Sequence, residues 1–131
     1  MKNWIITLII VSLSVLLYFA FRSDDNDLGD NYHYLPDYEA IDVGYPGGAI
    51  IYKSAQKLAF DDVKISGNVK DVSWNKDFIL AYQKLGTSYN NTNHFFIIVK
   101  KTDLVYGPFQ KDEYLRWKHQ LGVPEELNLK E

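Results

Sequence analysis

The chain has 131 residues, 14 basic against 17 acidic, and no cysteine. Beyond residue 22 the balance is 12 basic against 17 acidic, a net of −5, which disfavours nucleic acid as a partner because that binding needs a basic stripe. The lack of cysteine excludes a disulfide framework, thiolate chemistry and a lipid-accepting N-terminal cysteine, so packing has to hold the fold, and an aromatic content of 15% suits that.

The stretch from Trp4 to Phe21 (WIITLIIVSLSVLLYFAF) contains no charge, proline or glycine. As a helix rising about 1.5 Å per residue it would span about 27 Å, close to a hydrocarbon thickness of about 30 Å. Residues 1–22 therefore read as a transmembrane anchor or uncleaved signal. Lys2 precedes the stretch, and Asp24, Asp25, Asp27 and Asp30 follow it with Arg22 alone against them. The positive-inside bias then sets the N-terminus in the cytoplasm and the remainder outside, as a single-pass protein of the cell membrane. Signal peptidase needs small residues before its cut, and Tyr18 to Ser23 offers only Ala20, so an uncleaved anchor is favoured over a secreted product. Residues 23–30 read as an acidic linker. Their aspartates do not make a calcium loop: counted from Asp24, Leu28 falls where a third oxygen ligand belongs and Leu35 where the bidentate glutamate belongs.

Residues 31–131 read as one small extracytoplasmic α+β domain. Tyr32–Leu35 is a short extended run stopped by Pro36, and Ala49–Lys53 is a second, preceded by the breakers Pro46-Gly47-Gly48. Val63–Ile65 alternates and ends at the turn dipeptide Gly67-Asn68. Val69–Trp74 leads through Asn75-Lys76 into Asp77–Gln83, a hairpin with Phe78, Leu80 and Tyr82 on one face. Polar Thr87–Asn93 reads as a loop, His94–Lys101 as the strongest strand of the chain, and Leu104–Tyr106 as its return partner, stopped by Gly107-Pro108. Short connections favour an antiparallel meander. A helix follows, with Asp112 and Glu113 in its first turn, Arg116, Lys118 and His119 toward its end, and Gly122-Val123-Pro124 as its stop. Tyr114, Leu115, Trp117, Lys118 and Leu121 share spacings of three and four, and this side is expected to lie on the sheet. The tail from Glu125 alternates Leu127 and Leu129 with polar residues, as an added edge strand or a fraying end would. The expected fold is thus an N-terminal transmembrane helix, then a small antiparallel β-meander with one C-terminal helix packed on it.

The C-terminal half carries a family resemblance. Asp71-Val72, the run Asn75–Gln83, the run Thr92–Ile98, Gly107-Pro108-Phe109 and Leu121-Gly122-Val123-Pro124 resemble domain of unknown function 3997, a family of short bacterial proteins, over roughly residues 62–129. The resemblance implies a secreted or membrane-attached protein, often a lipoprotein, and implies no catalytic residues. The chain departs from the pattern in having no cysteine for a lipid, which implies a protein anchor, and in placing Gln110 where a Ser or Thr helix cap is expected.

No catalytic constellation emerges from the remaining residues. His33, His94 and His119 have no metal-ligand spacing, and Ser54, Ser66, Ser73 and Ser88 lack a glycine-flanked elbow. Asp37 and Glu39, two apart, would share a strand face, where a solvated edge is favoured over an acid/base pair. Asn90-Asn91-Thr92 matches a glycosylation acceptor but reads as a polar loop in a bacterial chain. The candidate binding surface is tyrosine-rich: Tyr32, Tyr34, Tyr38, Tyr45 and Tyr52, interleaved with Asp30, Asp37, Glu39 and Asp42, a mixture suited to protein or glycan contacts. Packing of Tyr32 and Tyr34 beneath the meander is the competing reading. The expected function is a membrane-anchored extracytoplasmic binding or envelope-associated module without catalytic activity, cofactor or metal, partnered by the membrane and by another envelope protein. The alternative is an inhibitory, immunity-type or structural partner of another membrane protein.

Overall fold

The computed structural model describes residues 2–20 and 27–130, and along the first helix it describes the side chains from Ile5 to Ser14. That helix, α1, covers Lys2–Ala20. The transmembrane helix expected over residues 1–22 is overturned: among the described residues no helix is long and apolar enough to cross a membrane. The described side chains of α1, Ile5 to Ser14, are all exposed. Within them Ser12 and Ser14 donate to the carbonyls of Ile9 and Val11, both at 2.9 Å. Residues 23–26 of the expected linker lie outside the described residues, and Asp27–Gly29, expected to continue it, is instead the first strand, β1.

The remainder forms two four-stranded antiparallel sheets where a single meander was expected. The first is β1-β2-β3-β4, with β2 Tyr32–Leu35, β3 Ile50–Lys53 and β4 Val63–Ile65. The pair Tyr34 and Ile51 faces the second sheet, and the adjacent pair Leu35 and Ile50 faces the other way. Between β3 and β4 the register slips, with Ile51 opposite Ile65 but Tyr52 opposite Val63. Lys64 is the extra residue, and this bulge lets Val63 and Ile65 serve opposite faces although they are two apart.

The second sheet is β5-β6-β7-β8: β5 Val69–Trp74, β6 Phe78–Thr87, β7 Asn90–Val99 and β8 Leu104–Phe109. The β5–β6 turn is closed by Asn75, whose Oδ1 accepts from the backbone amides of Asp77 and Phe78, both at 2.8 Å. Of residues 87–93, expected to be a loop, only Ser88-Tyr89 is a turn and the rest is ladder: β6 and β7 pair without interruption from Phe78 opposite Val99 to Thr87 opposite Asn90. Gly107-Pro108 does not end the sheet either. It lies inside β8 with a cis peptide bond and a register shift, after which Phe109 pairs with Phe95.

Three apolar clusters stack the layers. Leu28, Tyr32, Ala49, Ile51 and Ile65 of the first sheet region meet Val69, Ile79, Ala81, Phe96 and Ile98 of the second, a face-to-face sandwich core. On the outer side of the second sheet Leu80, Phe95, Ile97 and Phe109 pack against Tyr114 of helix α3, Lys111–Gln120, with Phe78 and Tyr82 beside them. On the outer side of the first sheet Leu35, Ile50 and Tyr52 pack against Ala40 of α2, Asp37–Asp42. The Asp37-Tyr38-Glu39 segment is therefore helix, where a strand face was expected. Both acids sit in its first turn, favourable to the helix dipole, and the small Ala40 lets the backbone approach the sheet. The order of layers is α2, first sheet, second sheet, α3. The tail after α3 makes no strand; Leu127 is buried in the α3 cluster and Leu129 packs at its margin.

Candidate functional site

The five candidate tyrosines do not share an exposed face. Tyr32 is wholly buried in the inter-sheet core, and Tyr34 packs at its edge, its hydroxyl pKa raised by burial and then by Asp37 and Asp71. Tyr52 is buried on the opposite face of the first sheet, stacked on His33 at 4.9 Å, its hydroxyl accepting from the Leu58 amide at 3.0 Å. Tyr45 meets Phe60 edge-on at 5.6 Å. Tyr38 alone is strongly exposed, its hydroxyl donating to Glu39 at 2.9 Å. Strand alternation explains the split: Tyr32 and Tyr34 face one way from β2, and Tyr52 faces the other from β3.

Tyr32 belongs to a polar cluster that ties the two sheets together. Its hydroxyl donates to Asp103 Oδ1 at 2.5 Å, and Asp103 lies in the turn between β7 and β8. Lys64 Nζ donates to Asp103 Oδ2 at 3.0 Å and pairs with Asp62 at 2.8 Å, while Lys53 approaches Asp103 at 3.4 Å. Lys53 also lies over the Tyr32 ring, 5.0 Å from its centroid. Burial works to raise the Asp103 pKa, but the Tyr32 hydroxyl and the two lysines outweigh it and hold the carboxyl below its ordinary value. The Tyr32 hydroxyl is pushed up by burial and then by Asp103. Burial lowers the Lys64 pKa, and Asp62 and Asp103 more than reverse it. Every group here is spent on another, so the cluster is a clasp between β2, β3, β4 and the β7–β8 turn.

The other ionisable candidates are similarly committed. His33 Nε2 lies 3.0 Å from the Ser54 carbonyl and His94 Nδ1 lies 3.2 Å from Gln83 Oε1. Asp37 Oδ1 accepts from the Ala49 amide at 2.8 Å, pinning α2 to the start of β3. Lys100 is buried, its ammonium donating to the carbonyls of Leu28 at 2.5 Å and Asn75 at 2.7 Å, and desolvation lowers its pKa against the pull of Asp30, Asp27 and Asp77. Among the described residues no three of His, Asp and Glu gather as a metal ion would need.

Two features stand clear of this packing. The first is the outer half of the β6–β7 hairpin. Its strands leave the core after Gln83, and Lys84 to Thr87 continue to pair with Asn90 to Asn93 as an arm whose β7 residues are all exposed. Tyr89 at its tip is completely exposed. Gly86 has φ +101°, and a Cβ there would stand 2.0 Å from the Asn90 carbonyl oxygen, so the arm requires glycine at this point. Tyr82 braces the root by donating to Asn93 Oδ1 at 3.0 Å. The second is a groove of about 590 Å³ between α3 and the tail, with Leu115, Lys118, Val123, Pro124, Glu125 and Asn128 among its lining. Lys118 is only 9% exposed, donates to Asn128 Oδ1 at 2.7 Å, and has its pKa lowered by burial against Glu125 and Glu126. Asn128 is in turn held by donating to the Glu125 carbonyl at 2.6 Å.

Sequence reasoning missed both. Asn90–Asn93 carries no apolar alternation, so a solvated ladder reads as a loop. For Lys118 a signal existed, its position on the apolar side of the helix, but a lysine there invites no site until the tail is seen to fold over it.

Two meander sheets face to face, with a helix on each outer surface, an exposed arm and a lateral groove, define the class: a four-layer α+β sandwich. The chain belongs to the DUF3997 family, proteins of unknown function, whose family model matches residues 36–131. The match begins before α2 and takes in β3 and β4, so it reaches into the first sheet as well as covering the second. No curated protein and no solved structure matches the chain.

Proposed function

We propose that this protein is a binding module without catalytic activity, attached to a membrane with its folded part outside the cytoplasm, and that it engages another envelope protein through the β6–β7 arm. The observation that carries this reading is the arm itself: a two-stranded ladder projecting beyond the core and ending in a fully exposed tyrosine. An aromatic ring with a polar tip, presented by a rigid scaffold, offers a large contact area at little conformational cost. Membrane attachment is supported by α1, where seven apolar side chains between Ile5 and Leu13 are each 53 to 60% exposed, a surface that water disfavours unless something covers it.

The test is photo-crosslinking in intact cells with a benzophenone amino acid at position 89, and at 104 as a control. A protein adduct formed from position 89 and not from 104, and lost on replacing Asn90–Asn93 with alanine, is expected. No adduct from position 89, or the same adduct from both positions, overturns the assignment of the arm. Protease added outside intact cells is expected to digest the folded part, and protection of that part overturns its placement.

A further inference from the structure

We propose that the groove between α3 and the tail is a binding site for a small organic monocarboxylate with an apolar body, its carboxylate received by Lys118. A lysine ammonium carries three donors, and among the described residues the Lys118 ammonium donates to one acceptor, Asn128 Oδ1 at 2.7 Å. Asn128 is locked by its own bond to the Glu125 carbonyl, so its oxygen is presented to the ammonium and the other donors are left to whatever enters. The ammonium acts on a carboxylate as a point charge with donors to spare, attracting it without fixing its orientation. The residue is about nine-tenths buried, so its stem is fixed between α3 and the tail and its ammonium is held at the groove wall.

The size and lining set the rest of the ligand. About 590 Å³ is far more than an inorganic anion fills and falls within the range of small-molecule pockets. Leu115, Val123 and Pro124 supply apolar wall for a hydrocarbon body. Glu125 and the neighbouring Glu126 also bear on the Lys118 ammonium as carboxylates, so each further negative charge on a ligand is penalised and a ligand with one carboxylate is favoured over a phosphate or a dicarboxylate. Burial already holds the Lys118 pKa below its ordinary value, and a bound carboxylate would push it back up.

The probe is sodium hexanoate, titrated into the 131-residue chain and followed by amide chemical shifts, with hexylamine and inorganic phosphate as controls. The expected result is saturable shifts confined to residues 115–128, with Kd about 1 mM as suits so small a ligand, and no saturable shift with either control. Lys118→Met should weaken hexanoate binding at least tenfold, whereas Lys118→Arg should retain it to within a few fold. Should Lys118→Met fail to fold, the Lys118 Cε resonance of the unaltered chain decides: its titration midpoint is expected to rise when hexanoate is present. Absence of saturable shifts, equal response to hexylamine, or an unmoved Lys118 midpoint overturns the proposal. None of the groove's lining residues belongs to the arm, so failure here leaves the crosslinking result unaffected.

Discussion

At the scale of single residues, the Tyr32–Asp103 pair shows an asymmetry between donor and acceptor. Asp103→Ala strands a hydroxyl in the inter-sheet core with no partner, at a cost of about 2 to 3 kcal/mol, whereas Tyr32→Phe removes the donor and leaves Asp103 with two lysines, at about 1 kcal/mol. Urea denaturation of both variants, followed by circular dichroism, checks the order. The pH dependence has a definite sign at each end. The Asp103 carboxyl is held below its unfolded value, so the stability it contributes is present above about pH 4 and is lost as the pH falls through the folded value. The Tyr32 hydroxyl is raised, so its contribution is present below about pH 10 and is lost as the pH rises further, where the unfolded tyrosine ionises and the folded one does not. Asp103→Asn should therefore flatten the acid limb of a stability profile and leave other carboxylates to shape what remains.

At the scale of elements, α3 and the β6–β7 arm offer sharp contrasts. Leu115 and Leu127 are both leucines of the C-terminal region, but Leu115 is 49% exposed and Leu127 is buried in the α3 cluster. Leu115→Ala should change stability by no more than about 0.5 kcal/mol, while Leu127→Ala should cost about 2 kcal/mol or more, as thermal unfolding of the two variants would report. Gly86→Ala forces a Cβ into the Asn90 carbonyl, so amide protection at residues 84–87 and 90–93 should collapse while the amides of Ile79, Leu80, Ile97 and Ile98 stay protected in hydrogen exchange. Most strands were legible because alternation and breakers speak locally: Tyr32–Leu35, Val63–Ile65 and Val69–Trp74 begin and end where the pattern places them. The helix α3 was legible too, including Gln110 as an N-cap that makes no side-chain capping bond, but Leu115, expected on its sheet-facing side, is exposed while Tyr114, Trp117 and Leu121 pack there. What escaped is of two kinds. The six-residue α2 is too short for a helical period to show, and two acids spaced by one residue mimic a strand face. The partition into two sheets escaped because Gly67-Asn68 looks like a hairpin turn, yet with both residues at positive φ it carries the chain from the first sheet to the second. For the candidate site, side-chain type was readable but facing was not: alternation buries Tyr32 and Tyr52, and long-range contact between the tail and α3 alone encloses Lys118.

At the scale of the molecule, one inner cluster serves both sheets, so neither has a complete core by itself. Unfolding should be a single cooperative transition, and the slowest-exchanging amides of Ile51 and of Ile98 should report the same free energy of opening; a lower value in the first sheet would mean that it opens independently. The sequential strand order within each sheet also has a consequence for biogenesis. A nascent chain completes the first meander with Ile65, and nothing made by then can cover Leu28, Tyr32 and Ile51, whose cover spans Val69 to Ile98. During the synthesis of roughly thirty further residues that sticky half stays open to chaperones and to neighbouring polypeptides. Slowing the closure of the β6–β7 hairpin should therefore depress the yield of folded product in cells sooner than it depresses the melting temperature of what survives.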